Sequence, residues 1–229
     1  MKTLGLIGGM SWESTVPYYR LINQIVAERL GGLHSARLLL YSVDFAEIEQ
    51  LQRAGDWDRA GRVLADAACA LRAGGAELLV ICANTMHLVA DAVETASGLP
   101  LVHIGDATAD AVNAAGLTRI GLLGTRFTME QPFLRERLQR HGLEVIVPDE
   151  AQRETVHRVI YDELCRGRIE DASREAYRAI IASLVERGAQ GVILGCTEIG
   201  LLVAPSDATV PLFDTAALHA RAAALAALA

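Results

Sequence analysis

Three stretches of this chain recur, in the same order, 116, 113 and 111 residues further on. Thr3-Leu4-Gly5-Leu6-Ile7-Gly8 resembles Arg119-Ile120-Gly121-Leu122-Leu123-Gly124, with glycines at matching places. Gly75-Ala76-Glu77 and the apolar run to Cys82 resemble Gly188-Ala189-Gln190 and the run to Gly195; Pro100-Leu101 resembles Pro211-Leu212. A repeat on this scale makes a chain build one supersecondary unit twice.

The unit is an alternation of short apolar runs with amphipathic stretches. Thr3–Gly8, Ala36–Ser42, Leu78–Ala83, Pro100–Ile104, Arg119–Gly124, Glu144–Val147, Gly191–Gly195 and Val210–Phe213 read as strands. Helices are expected near 14–30, 57–73, 86–97, 106–115, 130–141, 150–166, 171–187 and 215–228. Such alternation predicts an α/β fold: two pseudo-symmetric lobes, each a four-stranded parallel sheet flanked by helices. The first lobe is expected to take residues 1–103 plus 209–229, the second 104–208. Ligands in such folds bind outside the carboxyl ends of the strands, so the expected site is a cleft shared by the lobes.

Composition removes several classes of function. Lysine and arginine number 21 against 28 aspartates and glutamates, a net charge of −7. This balance speaks against nucleic acid and anionic membrane as partners. No apolar stretch reaches the roughly 18 residues of a membrane span. Lys2 is followed by a short apolar run ending in glycines, not by a signal-peptide core and cleavage site, so the cytoplasm is the expected compartment. Cys69, Cys82, Cys165 and Cys196 form no C-x-x-C pair or zinc spacing, so free thiols and no structural metal are expected. Lys2 is the only lysine, which leaves no plausible Schiff-base partner for pyridoxal phosphate.

Chemistry is therefore sought in the loops that follow the strands. Gly8-Gly9-Met10-Ser11 has glycines that let backbone amides approach an anion, but lacks the full dinucleotide fingerprint. Its counterpart is Gly124-Thr125-Arg126-Phe127-Thr128. Cys82-Ala83-Asn84-Thr85-Met86-His87 ends the third strand of the first half, and Gly195-Cys196-Thr197-Glu198 is its counterpart. Cys196, at a helix start between small residues, reads as a functional thiol whose pKa the helix dipole lowers toward neutrality. Cys82 lies one strand position earlier and reads as core, because side chains alternate faces. Cys69 also reads as core. His87 is either a general acid or base or an orienter of its loop. His103 reads as a structural hydrogen-bonder, His34, His141, His157 and His219 as surface or capping residues, and Trp12 and Trp57 as packing anchors.

Met1–Ser11, Asn84-Thr85-Met86-His87 and Gly195-Cys196-Thr197-Glu198 together resemble the aspartate/glutamate racemase superfamily over essentially the whole chain. Ser11–Thr15 and Gly124–Met129 are most similar to its amino-acid racemase branch. The resemblance implies a cofactor-independent enzyme, commonly a dimer, that holds an amino acid between two lobes with one acid/base residue, usually cysteine, on each face of Cα. It implies that the final helix returns to the first lobe. By the same resemblance Cys196 is one acid/base, Asn84, Thr85 and Thr197 hold the α-carboxylate, Met10 and Thr125 line the site, and Gln52 contacts substrate. The second acid/base position is occupied by Ala83, which has no proton to give. The internal repeat also sets Ala83 opposite Cys196. Cys165 stands where acidic-substrate relatives often carry lysine. A racemase is the leading reading. A single-thiol decarboxylase of the same superfamily, or a non-catalytic protein that binds an amino acid or other carboxylate, is the alternative.

Overall fold

A computed structural model describes all residues, Met1–Ala229. The chain forms two compact units, Met1–His103 with His219–Ala229, and Ile104–Leu218.

In the first unit the elements are β1 (Leu4–Gly8), α1 (Trp12–Leu30), β2 (Leu38–Ser42), α2 (Phe45–Ala54), α3 (Trp57–Ala73), β3 (Leu78–Ile81) and α4 (Ala90–Ser97). All three strands are parallel, in the order β2-β1-β3. β1 and β3 are buried throughout, as expected of parallel strands covered by helices on both faces. The sheet has three strands, not the expected four. Pro100–Ile104 contributes one parallel bridge, Leu79 with Leu101, in which Leu79 N–H donates to Pro100 O and Val102 N–H to Leu79 O. Pro100 has no N–H to extend the ladder, and the chain turns helical at Ile104, so pairing stops after one rung.

Helix α2 was not among the expected helices. Its signals are nonetheless in the sequence. Asp44 caps it by accepting from Ala46 N–H, Ile48 and Leu51 lie three apart on its buried face, and Gly55 closes it in the left-handed conformation.

The second unit contains α5 (Ile104–Ala114), β4 (Arg119–Gly124), α6 (Arg126–Glu130), α7 (Pro132–Arg140), β5 (Glu144–Ile146), α8 (Glu150–Asp162), α9 (Asp171–Glu186), β6 (Val192–Gly195), α10 (Ile199–Leu202), β7 (Leu212–Asp214) and the start of α11 (Thr215–Leu228). Its parallel strands run in the order β5-β4-β6-β7. The strand side chains alternate faces. Ile120, Leu122 and Ile193 pack with Ala109 and Val112 of α5 and with Leu134 and Leu138 of α7. Leu123, Val192 and Leu194 pack with Val156 and Val159 of α8 and with Tyr177, Ile180 and Leu184 of α9.

Residues 209–218, expected with the first lobe, belong instead to the second unit, because β7 pairs with β6. The chain passes to the first unit within α11. There His219, Ala220, Ala223, Ala224 and Ala227 are buried, and Lys2 N–H donates to Ala227 O at 2.7 Å. His219 is not a surface residue. It is fully buried, and the carbonyl of Val102 can only accept, so Nε2–H donates to it at 2.6 Å and Nδ1 accepts from Tyr18 Oη at 2.9 Å. Trp12 is 62% exposed and anchors no core. No helix is long and apolar enough to cross a membrane.

Candidate functional site

The residues singled out in the first half converge on the loops that follow β1 and β3. Gly9 follows β1 with φ +91°, and a Cβ there would meet the Val43 carbonyl at 2.3 Å, so only glycine allows this turn. Its N–H is not left for an anion as the sequence suggests, but donates to Thr15 Oγ1 at 2.9 Å. Met10 follows and is buried with Ala83, Met86 and Leu51 in one cluster. Gln52, on α2, is drawn to the same place by its Nε2, which reaches the Met86 sulfur at 3.2 Å.

After β3 the chain makes a tight turn. Cys82 N–H still donates to Ile7 O across the sheet, while Ala83 N–H donates back to Ile81 O at 2.8 Å. Cys82 is fully buried, and burial alone pushes its thiol far above the usual range. It is a core side chain. Ala83, Asn84 and Thr85 are 5%, 3% and 7% exposed. His87 is nearly buried, and its Nδ1–H donates to Ala83 O at 2.7 Å. Of its two possible roles, this bond is the loop-orienting one. The His87 ring lies 4.6 Å from that of His103 and 5.5 Å from that of His219.

In the second unit the corresponding loops follow β4 and β6. Gly124 and Gly195 are register partners at the ends of these strands. A Cβ on Gly195 would stand 2.7 Å from both Leu122 Cδ1 and the Leu123 carbonyl, so the loop can start here only on glycine. Thr125 caps α6, its Oγ1 accepting from Thr128 N–H at 3.2 Å. His157 Nδ1 accepts from Arg126 N–H at 3.2 Å.

Cys196 comes next, 7% exposed, with Thr197 6% and Glu198 1% exposed. The Cys196 thiol and the Thr197 hydroxyl both donate to Glu198 Oε2, at 2.9 and 2.8 Å. The thiol is not acidified as a helix start suggests. Burial pushes it well above its ordinary value, and the Glu198 carboxylate and then Cys165 push the same way. The following helix, α10, has only four residues and so little dipole to oppose them. Cys165 sits in the short turn between α8 and α9, packed against the cluster that contains Cys196, and its thiol is also raised, first by burial and then by Glu198. Tyr177 of α9, fully buried, is raised chiefly by burial and also by Cys196.

Met10, Gln52, Ala83, Asn84 and Thr85 thus belong to the first unit, and Thr125, Cys196 and Thr197 to the second. Sequence reasoning missed Glu198 as a site residue. The signal was available, since Glu198 is the only charged residue between Gly191 and Val203. An acid inside such an apolar run is buried and needs a donor. No group of three or more histidine, cysteine, aspartate and glutamate side chains is placed to hold a metal ion.

Comparison with known proteins identifies the family and the fold. The profile of the Asp/Glu/hydantoin racemase family matches residues 7–223. The crystal structure of a Yersinia pestis protein assigned as an Asp/Glu racemase is 61% identical, covers all of both chains and superposes with a TM-score of 0.92. That of an aspartate racemase homologue from Pyrococcus horikoshii OT3 is 37% identical, again over all of both chains, with a TM-score of 0.85. The broad specificity amino-acid racemase RacX of Bacillus subtilis (strain 168) is 21% identical over 224 residues, 95% of each chain.

Proposed function

The chain belongs to the Asp/Glu/hydantoin racemase family, and from that premise we propose that it is an amino-acid racemase moving the α-proton with Cys196 as its thiol acid/base. The observation that carries this reading is the Cys196 thiol itself. It stands in the loop after β6, beside the Thr197 hydroxyl, and is bonded to a buried carboxylate. A thiol confined in this way suits proton transfer at carbon better than it suits packing.

In this reading Asn84, Thr85 and Thr197 hold the α-carboxylate of the substrate, Met10 and Thr125 line the site, and Gln52 contacts the substrate. Cys196 withdraws the α-proton, and backbone amides and hydroxyls stabilise the planar anion that results. In this reading the reaction runs without a cofactor, and the only lysine, Lys2, whose backbone N–H donates to Ala227 O, forms no Schiff base with pyridoxal phosphate. Ala83 occupies the position from which relatives serve the second face. Cys82, buried and strongly disfavoured as an anion, does not replace it. Water is left as the second proton carrier, so inversion is slower than exchange. The working form is a cytoplasmic homodimer.

Ala83 favours one other reading, a decarboxylase, in which a single thiol protonates a carbanion from one side. Release of carbon dioxide from substituted malonates would single it out.

The test of the racemase reading is a panel of single-enantiomer amino acids incubated in D₂O and followed by chiral chromatography and mass spectrometry. Deuterium at the α-carbon of at least one amino acid is expected, with the opposite enantiomer appearing more slowly. If no amino acid exchanges or inverts, the proposal fails.

A further inference from the structure

Helix α1 turns to solvent an apolar face that neither the core nor the site uses. Trp12, Val16 and Tyr19, at helical spacing, are 62%, 50% and 57% exposed. Asn23, one turn further along the same stripe, accepts from Ala36 N–H just ahead of β2, so the stripe lies toward that edge of the sheet. There Leu40 of β2 adds a fourth apolar side chain, 48% exposed. Single apolar side chains at a surface need no explanation, but a contiguous, aromatic-rich patch marks an interaction site.

A groove runs along the same helix, lined by Trp12, Glu13, Val16, Pro17, Arg20 and Leu21. These six fall into three pairs about one point, midway between Val16 and Pro17: Trp12 with Leu21, Glu13 with Arg20, and Val16 with Pro17. An antiparallel copy of the helix, related by a two-fold axis through that point, sets each residue against its mate. Apolar then meets apolar, and carboxylate meets guanidinium at both ends. Within one helix Glu13 and Arg20 stand about 10 Å apart along the axis, too far to pair with each other. Neither has an ion pair elsewhere in the chain.

We propose that this face of α1 is a dimer interface and that its occupant is a second copy of this chain, packed antiparallel about a two-fold axis at Val16–Pro17. Trp12 covers the partner's Leu21 and is the main anchor, while Tyr19 and Leu40 widen the buried patch toward β2. The charges select the occupant. An apolar groove alone would accept many partners, but one acid and one base in this order match the same order read backwards. The pairing uses none of the site residues and holds whatever reaction the site performs.

The experiment is sedimentation velocity over a dilution series of the parent, Glu13→Arg, Arg20→Glu, and the two variants mixed in equal amounts. The parent is expected to sediment as a dimer. Each single variant sets like charges against each other at both ends of the interface and should raise the dissociation constant by about tenfold or more. In the mixture a basic face meets an acidic one, and dimers should return. The double variant, Glu13→Arg with Arg20→Glu, reverses the order of charges and should dimerise like the parent. Trp12→Ala should weaken the dimer by about tenfold or more. A monomeric parent overturns the proposal. So does a dimer that neither charge reversal weakens, which would place the interface on another face, and so does a mixture that stays monomeric. Should Glu13→Arg not fold, Trp12→Ala dimerising as tightly as the parent overturns it as well. None of these readouts involves amino-acid turnover, so failure of the racemase reading would leave them unchanged.

Discussion

His87 Nδ1 lies 2.7 Å from the carbonyl oxygen of Ala83, so a nearly buried imidazole ties down the turn that carries Ala83, Asn84 and Thr85. The carbonyl can only accept, which fixes the proton on Nδ1. His87→Phe keeps most of the ring volume and removes the donor. The Ala83 carbonyl then loses its partner in a dry place, at a cost of about 1–3 kcal/mol. Urea denaturation should show a loss of that size. An unchanged midpoint would mean the turn holds itself.

His219 gives the fold a pH dependence whose sign is fixed. Burial lowers its pKa to about 4, with His103 pushing the same way and the Val102 hydrogen bond opposing. The unfolded imidazole titrates near 6.5. Between these values the unfolded chain binds the proton and the folded one does not. The contribution is therefore fully present above about pH 6.5 and is lost as the pH falls toward about 4, on the order of 3 kcal/mol in all. His219→Phe should weaken the protein at pH 7, because Tyr18 Oη and the Val102 carbonyl lose their partner, and should flatten this acid limb. An acid limb as steep as that of the parent would place its origin elsewhere.

The order of strands and helices was legible in the sequence because burial on both faces of β1, β3, β4 and β6 writes continuous apolar runs. Pro100–Ile104 reads as a full strand yet pairs at one rung, since an apolar run carries no record of how many rungs its partner can offer. Helix α2 was underread because it is half polar, although Asp44 and Gly55 mark both of its ends. Residues at strand ends, Cys196 and Asn84 among them, could be named from the repeat. The ionisation of Cys196 could not. The helix-start rule gave the wrong sign because burial and Glu198, a neighbour two residues on, outweigh a four-residue helix. The burial of His219 is likewise not legible locally, because its partners, Val102 and Tyr18, are distant in sequence.

Cys196→Ser should lose about 10²–10⁴-fold in α-proton exchange, the usual worth of a general acid/base. Serine still offers a hydroxyl to Glu198, so the denaturation midpoint should move little. Cys69, which the sequence suggests is core but which is exposed, lies outside the site and is the control, and Cys69→Ser should exchange like the parent. Exchange surviving in Cys196→Ser would require another base.

Gly195→Ala tests how tightly the Cys196 loop is built. The added carbon would sit 2.7 Å from the Leu123 carbonyl, which is held in the sheet and cannot swing aside. A loss of about 1–3 kcal/mol or more is expected, measured by denaturation. A neutral effect would show that β4 and β6 can separate at their ends without penalty.

Ala83 is the residue at which the racemase reading is most exposed to test. Ala83 is 5% exposed, packed with Met10 and Met86, and its carbonyl is held by His87. Ala83→Cys adds one sulfur atom at that point, with an overpacking cost within about 1–3 kcal/mol. Racemisation needs a proton on each face of the planar anion, whereas exchange with retention needs only Cys196. The substitution should therefore raise inversion more than it raises exchange, and both are read from one D₂O experiment. The parent is expected to exchange faster than it inverts, and Ala83→Cys to narrow the gap. If the parent already inverts as fast as it exchanges, water alone serves the second face and alanine there is no defect. If the gap is wide and the new thiol leaves it unchanged, Ala83 does not face the substrate opposite Cys196, and the second face must be sought at another residue.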